Sequence, residues 1–159
     1  MSKILNMLMA FVMSFGISGS NVNPSDIPEN SNFEVHFIDV GQADSLIECD
    51  GETMMIDGGN VADSNVVAAY LKKEDVTELN YVVCSHAHED HVGGLSGALS
   101  VTKADNIYAP KTKANTKAYK NFKKKAEEQN VEIKHPNVGD EIQLGSSTVE
   151  FSGPVDENG

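Results

Sequence analysis

Apolar and polar positions alternate through Phe33-Glu34-Val35-His36-Phe37-Ile38-Asp39-Val40, the period of two expected of a half-buried strand. Gly41-Gln42-Ala43-Asp44 reads as a turn, and Ser45-Leu46-Ile47-Glu48-Cys49 as a second strand. Asp50-Gly51 is a hairpin signal, because both residues tolerate the left-handed backbone that a tight turn needs. Thr53-Met54-Met55-Ile56-Asp57 is then the return strand, stopped by Gly58-Gly59. From Asp63 or Ser64 the period changes to that of a helix, with Val66, Val67, Tyr70 and Leu71 on one side. The apolar run Tyr81-Val82-Val83-Cys84 suits a strand buried on both faces.

Later elements alternate. Val92 to Leu99 suggests a glycine-rich helix start, and Asn106-Ile107-Tyr108-Ala109 a strand closed by Pro110. Tyr119, Phe122 and Ala126 mark the buried stripe of a helix over about Asn115–Gln129, with Lys117, Lys120, Lys123, Lys124 and Lys125 largely on its wet side. Val131-Glu132-Ile133 reads as a short strand. Glu141–Leu144 and Thr148–Phe151 read as a hairpin around Gly145-Ser146. A strand meander followed by alternating strands and helices predicts an α/β layered domain.

The N-terminus has a different character. Lys3 precedes the apolar stretch Ile4–Phe15, and small residues follow at Gly16-Ile17-Ser18-Gly19-Ser20. This is the layout of a secretory signal peptide over residues 1–20, and it is too short and interrupted for a comfortable membrane span. A retained amphipathic anchor helix is the alternative. Ile17–Ser20 resembles a lipoprotein signal box with serine in place of the lipidated cysteine, so the usual lipid attachment is not available. Residues 21–32, with prolines, serines and four asparagines, read as a linker. The expected product is therefore extracytoplasmic, with its folded domain over 33–159 and no stable membrane span in the mature chain.

Charge narrows the partners. The net charge is −12, and all 12 basic residues are lysines. Residues 1–102 hold 3 lysines and 15 acids, and residues 103–159 hold 9 of each. Such a balance argues against a dedicated reader of the DNA backbone. The lysine-rich helix is the one candidate basic surface, and a solvated helix face is its simpler explanation. Cys49 and Cys84 both lie in apolar runs and read as buried thiols.

The chemistry concentrates in His86-Ala87-His88-Glu89-Asp90-His91, directly after the predicted buried strand. Imidazole and carboxylate together suit zinc, and also manganese or iron. His86 and His88, two apart, can aim at one cation from an extended backbone. Asp90 and His91 are adjacent and can serve a second. Two cations a few ångströms apart can share a hydroxide, lower its proton affinity and clamp an in-line displacement. No serine or cysteine nucleophile is then required. Glu89 is left facing solvent. His36, inside a strand, and His135, in a loop before Pro136, are not expected to be ligands.

This run resembles the HxHxDH signature of the metallo-β-lactamase superfamily. Phe37–Ser45, Met55–Gly59 and His91–Leu95 resemble its branch of ComEC-type competence proteins, with Ala43 where that branch usually has glycine. The likeness runs from about Phe33 to Pro154. It implies an αββα sandwich, of which this chain carries the first half and a few later elements. It also implies a hydrolase with two divalent ions, His86 and His88 on the first and Asp90 and His91 on the second. Asp90 is then both ligand and catalytic carboxylate. Asp57 would sit behind the site and hold a ligand histidine in its working tautomer. Asp57 as a plain turn residue is the alternative. Asp39 and Asp44 could shape the entrance or simply serve the turn.

Further ligands of that family come from the second half, so the chain is expected to be truncated, with a bare apolar sheet face. Two functions follow. One is a secreted hydrolase using metal-bound hydroxide on a small molecule or phosphodiester, with nucleic acid only weakly supported. The other is a non-catalytic metal-binding or interaction fragment.

Overall fold

A computed structural model describes residues 32–41 and 43–153. The leader expected over 1–20, and the linker expected over 21–32 apart from Asn32, lie outside the described residues.

The meander forms as the alternation predicts. Strands β1 (Phe33–Asp39), β2 (Ala43–Cys49) and β3 (Glu52–Ile56) pair antiparallel in chain order. The chain then crosses over through α1 (Ser64–Lys73), so that β4 (Glu78–Val83) pairs parallel with β3. Two short helices, α2 (Glu89–Val92) and α3 (Leu95–Val101), lead to β5 (Lys103–Tyr108), parallel to β4. Helix α4 (Lys117–Glu128) returns the chain to β6 (Ile133–Lys134) at the far edge. The six strands lie in the order β1-β2-β3-β4-β5-β6. A separate hairpin joins β7 (Glu141–Leu144) and β8 (Ser147–Glu150).

One face of the sheet carries the main core. Val67 and Leu71 of α1, Leu95 and Ala98 of α3, and Phe122 and Ala126 of α4 pack there against Leu46, Met55, Val82 and Ile107. Thr116 starts α4 by accepting the Tyr119 N–H on its hydroxyl at 3.2 Å. The opposite face buries Cys49, Met54 and Leu144, with Ile142 and Val149 of the hairpin packed over them. This face is therefore partly covered rather than bare; the outer row of β1 stays exposed, at 54% for Phe33 and 75% for Phe37. Both cysteines are free and buried.

Two sequence boundaries move. Ala43 and Asp44 belong to β2 and not to a turn: they continue the β1 ladder through Asp39↔Ala43 and Ile38↔Asp44. The left-handed conformation falls on Gly41, at φ +79°. The strand expected at Val131–Ile133 is instead Ile133–Lys134, because its only support is pairing with Ile107 and Tyr108. Among the described residues no helix is long and apolar enough to cross a membrane.

Candidate metal centre

Parallel pairing builds the site. Ile56, Val83 and Tyr108 stand side by side in register at the ends of β3, β4 and β5. The chain leaves all three strands on the same edge. Asp57, the segment Cys84–His91, and Ala109-Pro110 therefore emerge together, as at the carboxyl edge of any parallel sheet.

Asp57 is the anchor. It is buried, and its backbone holds the left-handed conformation at φ +59°, which is uncommon outside glycine. Backbone bonds hold it there: its N–H donates to the Val83 carbonyl at 2.9 Å, and the Gly58 N–H donates to the His91 carbonyl at 2.7 Å. Gly58 and Gly94 meet backbone to backbone, and a β-carbon on Gly94 would overlap the Gly58 carbonyl. The carboxylate then receives three donors. Ser85 N–H reaches Oδ1 at 2.7 Å, the Ser85 hydroxyl reaches Oδ2, and His91 Nδ1 lies 2.9 Å from Oδ2.

These bonds set tautomers. With its Nδ1 proton given to Asp57, His91 turns the Nε2 lone pair outward. The Ser85 hydroxyl spends its proton on Asp57, so its oxygen accepts from His86 Nδ1 at 3.0 Å. That leaves His86 Nε2 unprotonated as well. Burial, then the neighbouring His91, hold the His86 imidazole below its ordinary pKa, so it is neutral at neutral pH. Neutral imidazoles with free nitrogens are what a divalent cation requires.

The rings converge: His86 lies 3.8 Å from His91 and 4.8 Å from His88, centroid to centroid. Asp90 Oδ2 lies 3.7 Å from His91 Nε2, on the outward side. Asp57, His86 and His91 each offer a donor atom within 4.8 Å of the other two, although the Asp57 carboxylate is occupied by its hydrogen bonds. Asp57 thus orients His91 directly and His86 through Ser85, and the chemistry of these two imidazoles, with His88 and Asp90 beside them, fits a divalent cation. Glu89 is exposed at the start of α2.

Other expected residues fall elsewhere. Asp39 is exposed at the end of β1. Asp44 is not at an entrance: it is 1% exposed, and its Oδ1 accepts the Gly59 N–H at 2.7 Å. Its carboxyl is pushed up to about 6, first by burial, against the lowering effect of the Gly59 bond. His36 bonds Tyr70 Oη at 2.7 Å, and His135 Nδ1 lies 2.8 Å from the Ala109 carbonyl. Burial, then the charge of Asp57, pushes the Cys84 thiol well up, so it stays protonated. Ser85 is the residue that sequence reasoning passed over; its one signal was a polar residue between a buried strand and the first histidine.

Two cavities flank the imidazoles. One of about 480 Å³ is bounded by His86, His88, Tyr108, Pro110, Pro136 and Phe151. Tyr108 and Phe151 stack there at 5.2 Å and 37°. A smaller one, about 90 Å³, lies against the same histidines and is lined also by Lys111 and Thr112.

The sequence profile described as "Metallo-beta-lactamase superfamily" matches residues 39–155. Among solved structures, the chain is 18% identical to a metallo-beta-lactamase from Cronobacter sakazakii bearing a mutated HARLDQ motif. The alignment covers 72% of this chain and 48% of that one, with a TM-score of 0.53. It is 17% identical to MEM-A1, a subclass B3 metallo-beta-lactamase from a soil metagenome library, over 76% of this chain and 48% of that one, with a TM-score of 0.51. At these identities the likeness concerns the fold, and the chain spans about half the length of these structures. No curated protein sequence matches it.

Proposed function

This chain belongs to the metallo-beta-lactamase superfamily, and from that premise we propose that it is a metal-dependent hydrolase of the ComEC-like branch acting outside the cytoplasm on phosphodiesters. The observation that carries the reading is the Asp57 clamp. One buried carboxylate bonds His91 at Nδ1 and, through Ser85, holds His86 at Nδ1, so that both imidazoles present Nε2. His88 and Asp90 complete the ligand set. These four residues would hold divalent cations, which would supply a lowered proton affinity of water and polarisation of the bond to be cut. The protein's own residues hold and orient.

The branch and the location draw on sequence: the flanks Phe37–Ser45, Met55–Gly59 and His91–Leu95, and the leader over 1–20. The substrate class draws on the two cavities. Lys111 offers a cation to an anionic group in the smaller cavity, and Tyr108 and Phe151 offer a flat apolar wall in the larger one. A phosphodiester with a planar ester group matches both. The test is metal analysis and hydrolysis of bis(p-nitrophenyl) phosphate by chain loaded with zinc or manganese. Turnover that disappears in folded His88→Ala supports the reading.

A second reading is a metal-binding module without turnover. The convergence of Asp57, His86 and His91 donor atoms supports metal binding by itself, with no bearing on turnover. Stoichiometric metal with no phosphodiester hydrolysis would select it.

A further inference from the structure

We propose that Asp44 is a positioning residue of the metal centre: its buried carboxylate fixes the Gly58-Gly59 turn, and through that turn the angle at which Asp57 meets His91. The proposal rests on the reading of His91 as a ligand oriented by Asp57.

The turn is an unusual backbone to hold. Asp57 and Gly59 both take positive φ, +59° and +67°, on either side of Gly58. No ladder runs through these residues, so each N–H finds a separate acceptor. Asp57 donates to Val83 and Gly58 to His91, both through backbone carbonyls. Gly59 donates to Asp44 Oδ1, and this is the one side-chain anchor among the three. On the other side, Gly94 N–H donates to the Gly59 carbonyl at 3.1 Å.

Strand register places Asp44 for this task. Ser45 pairs with Ile56, the last residue of β3, so Asp44 stands one step beyond, beside the chain as it leaves the sheet. Asp44 is itself fixed by pairing with Ile38 of β1. The anchor is therefore part of a rigid ladder, and the turn it grips is not.

The remaining oxygen takes no part in holding the turn. Asp44 Oδ2 is buried and has no hydrogen-bond partner among the described residues. A neutral side chain could accept from Gly59 without burying a carboxylate near Asp57. Gly59 also leaves room for it: a β-carbon there would come within 2.9 Å of Asp44 Oδ2. Loss of the anchor would free Gly59, let Asp57 rotate, and return His91 to the mixed tautomers of an unrestrained imidazole.

The experiment reads the tautomer directly, with no metal present. Chelator-treated chain labelled with ¹⁵N-histidine is compared at pH 8 by long-range proton–nitrogen spectra. Wild type and Asp44→Asn, which keeps the acceptor, should show His91 protonated at Nδ1. Asp44→Ala should show several-fold more of the Nε2-protonated form, and about 10-fold weaker zinc binding on titration. Leu71→Ala, a core truncation in α1, should lose stability yet keep the wild-type His91 spectrum.

An unchanged His91 spectrum and zinc affinity in Asp44→Ala would overturn the proposal. So would a Leu71→Ala variant that reproduces the same spectral change while folded. If Asp44→Ala fails to fold, Asp44→Leu, of similar shape, carries the same expectation. If neither folds while Asp44→Asn does, Asp44 is a fold determinant and the proposal falls. A wild-type chain that binds no zinc, with the tautomer changes as expected, would sink the metal-centre reading and leave the positioning role standing.

Discussion

Replacing Asp44 by asparagine should stabilise the metal-free protein at pH 8, and the gain should fade on acidification. The carboxyl titrates at about 6 in the fold, against 3.8 when unburied. A raised acid pKa means the folded state binds a proton that the unfolded state has already released. The unfavourable contribution of Asp44 to wild-type stability therefore shrinks as pH falls from above 6 towards 4, and at pH 8 the fold carries the full cost of the buried charge. Two pKa units correspond to about 3 kcal/mol as an upper bound. Asparagine removes that cost and keeps an oxygen for the Gly59 N–H, but gives up about 1 kcal/mol of the charge-assisted bond. The expected net gain at pH 8 is about 2 kcal/mol. The assay is urea unfolding at 25 °C in chelator, comparing midpoints at pH 8 and 4.5 with m-values held equal. Differencing the two proteins at each pH cancels the other carboxylates. A variant no more stable than wild type at pH 8, or a gap that does not move with pH, would refute the reasoning.

Other outcomes follow from the same geometry. Asp57→Ala removes the acceptor of Ser85 and His91 together, and should weaken zinc binding by about 10- to 100-fold in a competition titration with a chromogenic chelator. Asp57→Asn, which tolerates positive φ and keeps an acceptor, should lose less. Gly94→Ala drives a methyl into the Gly58 carbonyl, so its melting temperature should fall by an amount equivalent to more than about 3 kcal/mol. Tyr108→Ala should raise KM for bis(p-nitrophenyl) phosphate several-fold with kcat little changed, since the ring contacts the flat group and not the reacting bond. Lys111→Ala should raise KM for phosphodiesters of any ester group, and more so at low salt.

The meander, the first helix and the lysine-faced helix were legible because their signals are local. Alternation through Phe33–Val40, the Asp50-Gly51 turn, and the spacing of Tyr119, Phe122 and Ala126 each lie within a dozen residues. The histidine run is legible for the same reason. The strand at Ile133 was misplaced by two residues because an edge strand of this length takes its position from its neighbour.

Much of the candidate centre is thus already determined by residue order: six consecutive positions supply imidazoles and a carboxylate at the end of a buried strand. The partners of those residues are another matter. Asp57 stands 28 residues before Ser85, and Asp44 another 13 earlier, and nothing in their local sequence says that they meet. Their meeting depends on β3 and β4 pairing parallel in one register, with Ile56 beside Val83, and on β2 extending two residues past β3. Side-chain direction, burial and tautomer are properties of that packing. A chain read in order shows which groups are available; the folded sheet decides which of them share a proton.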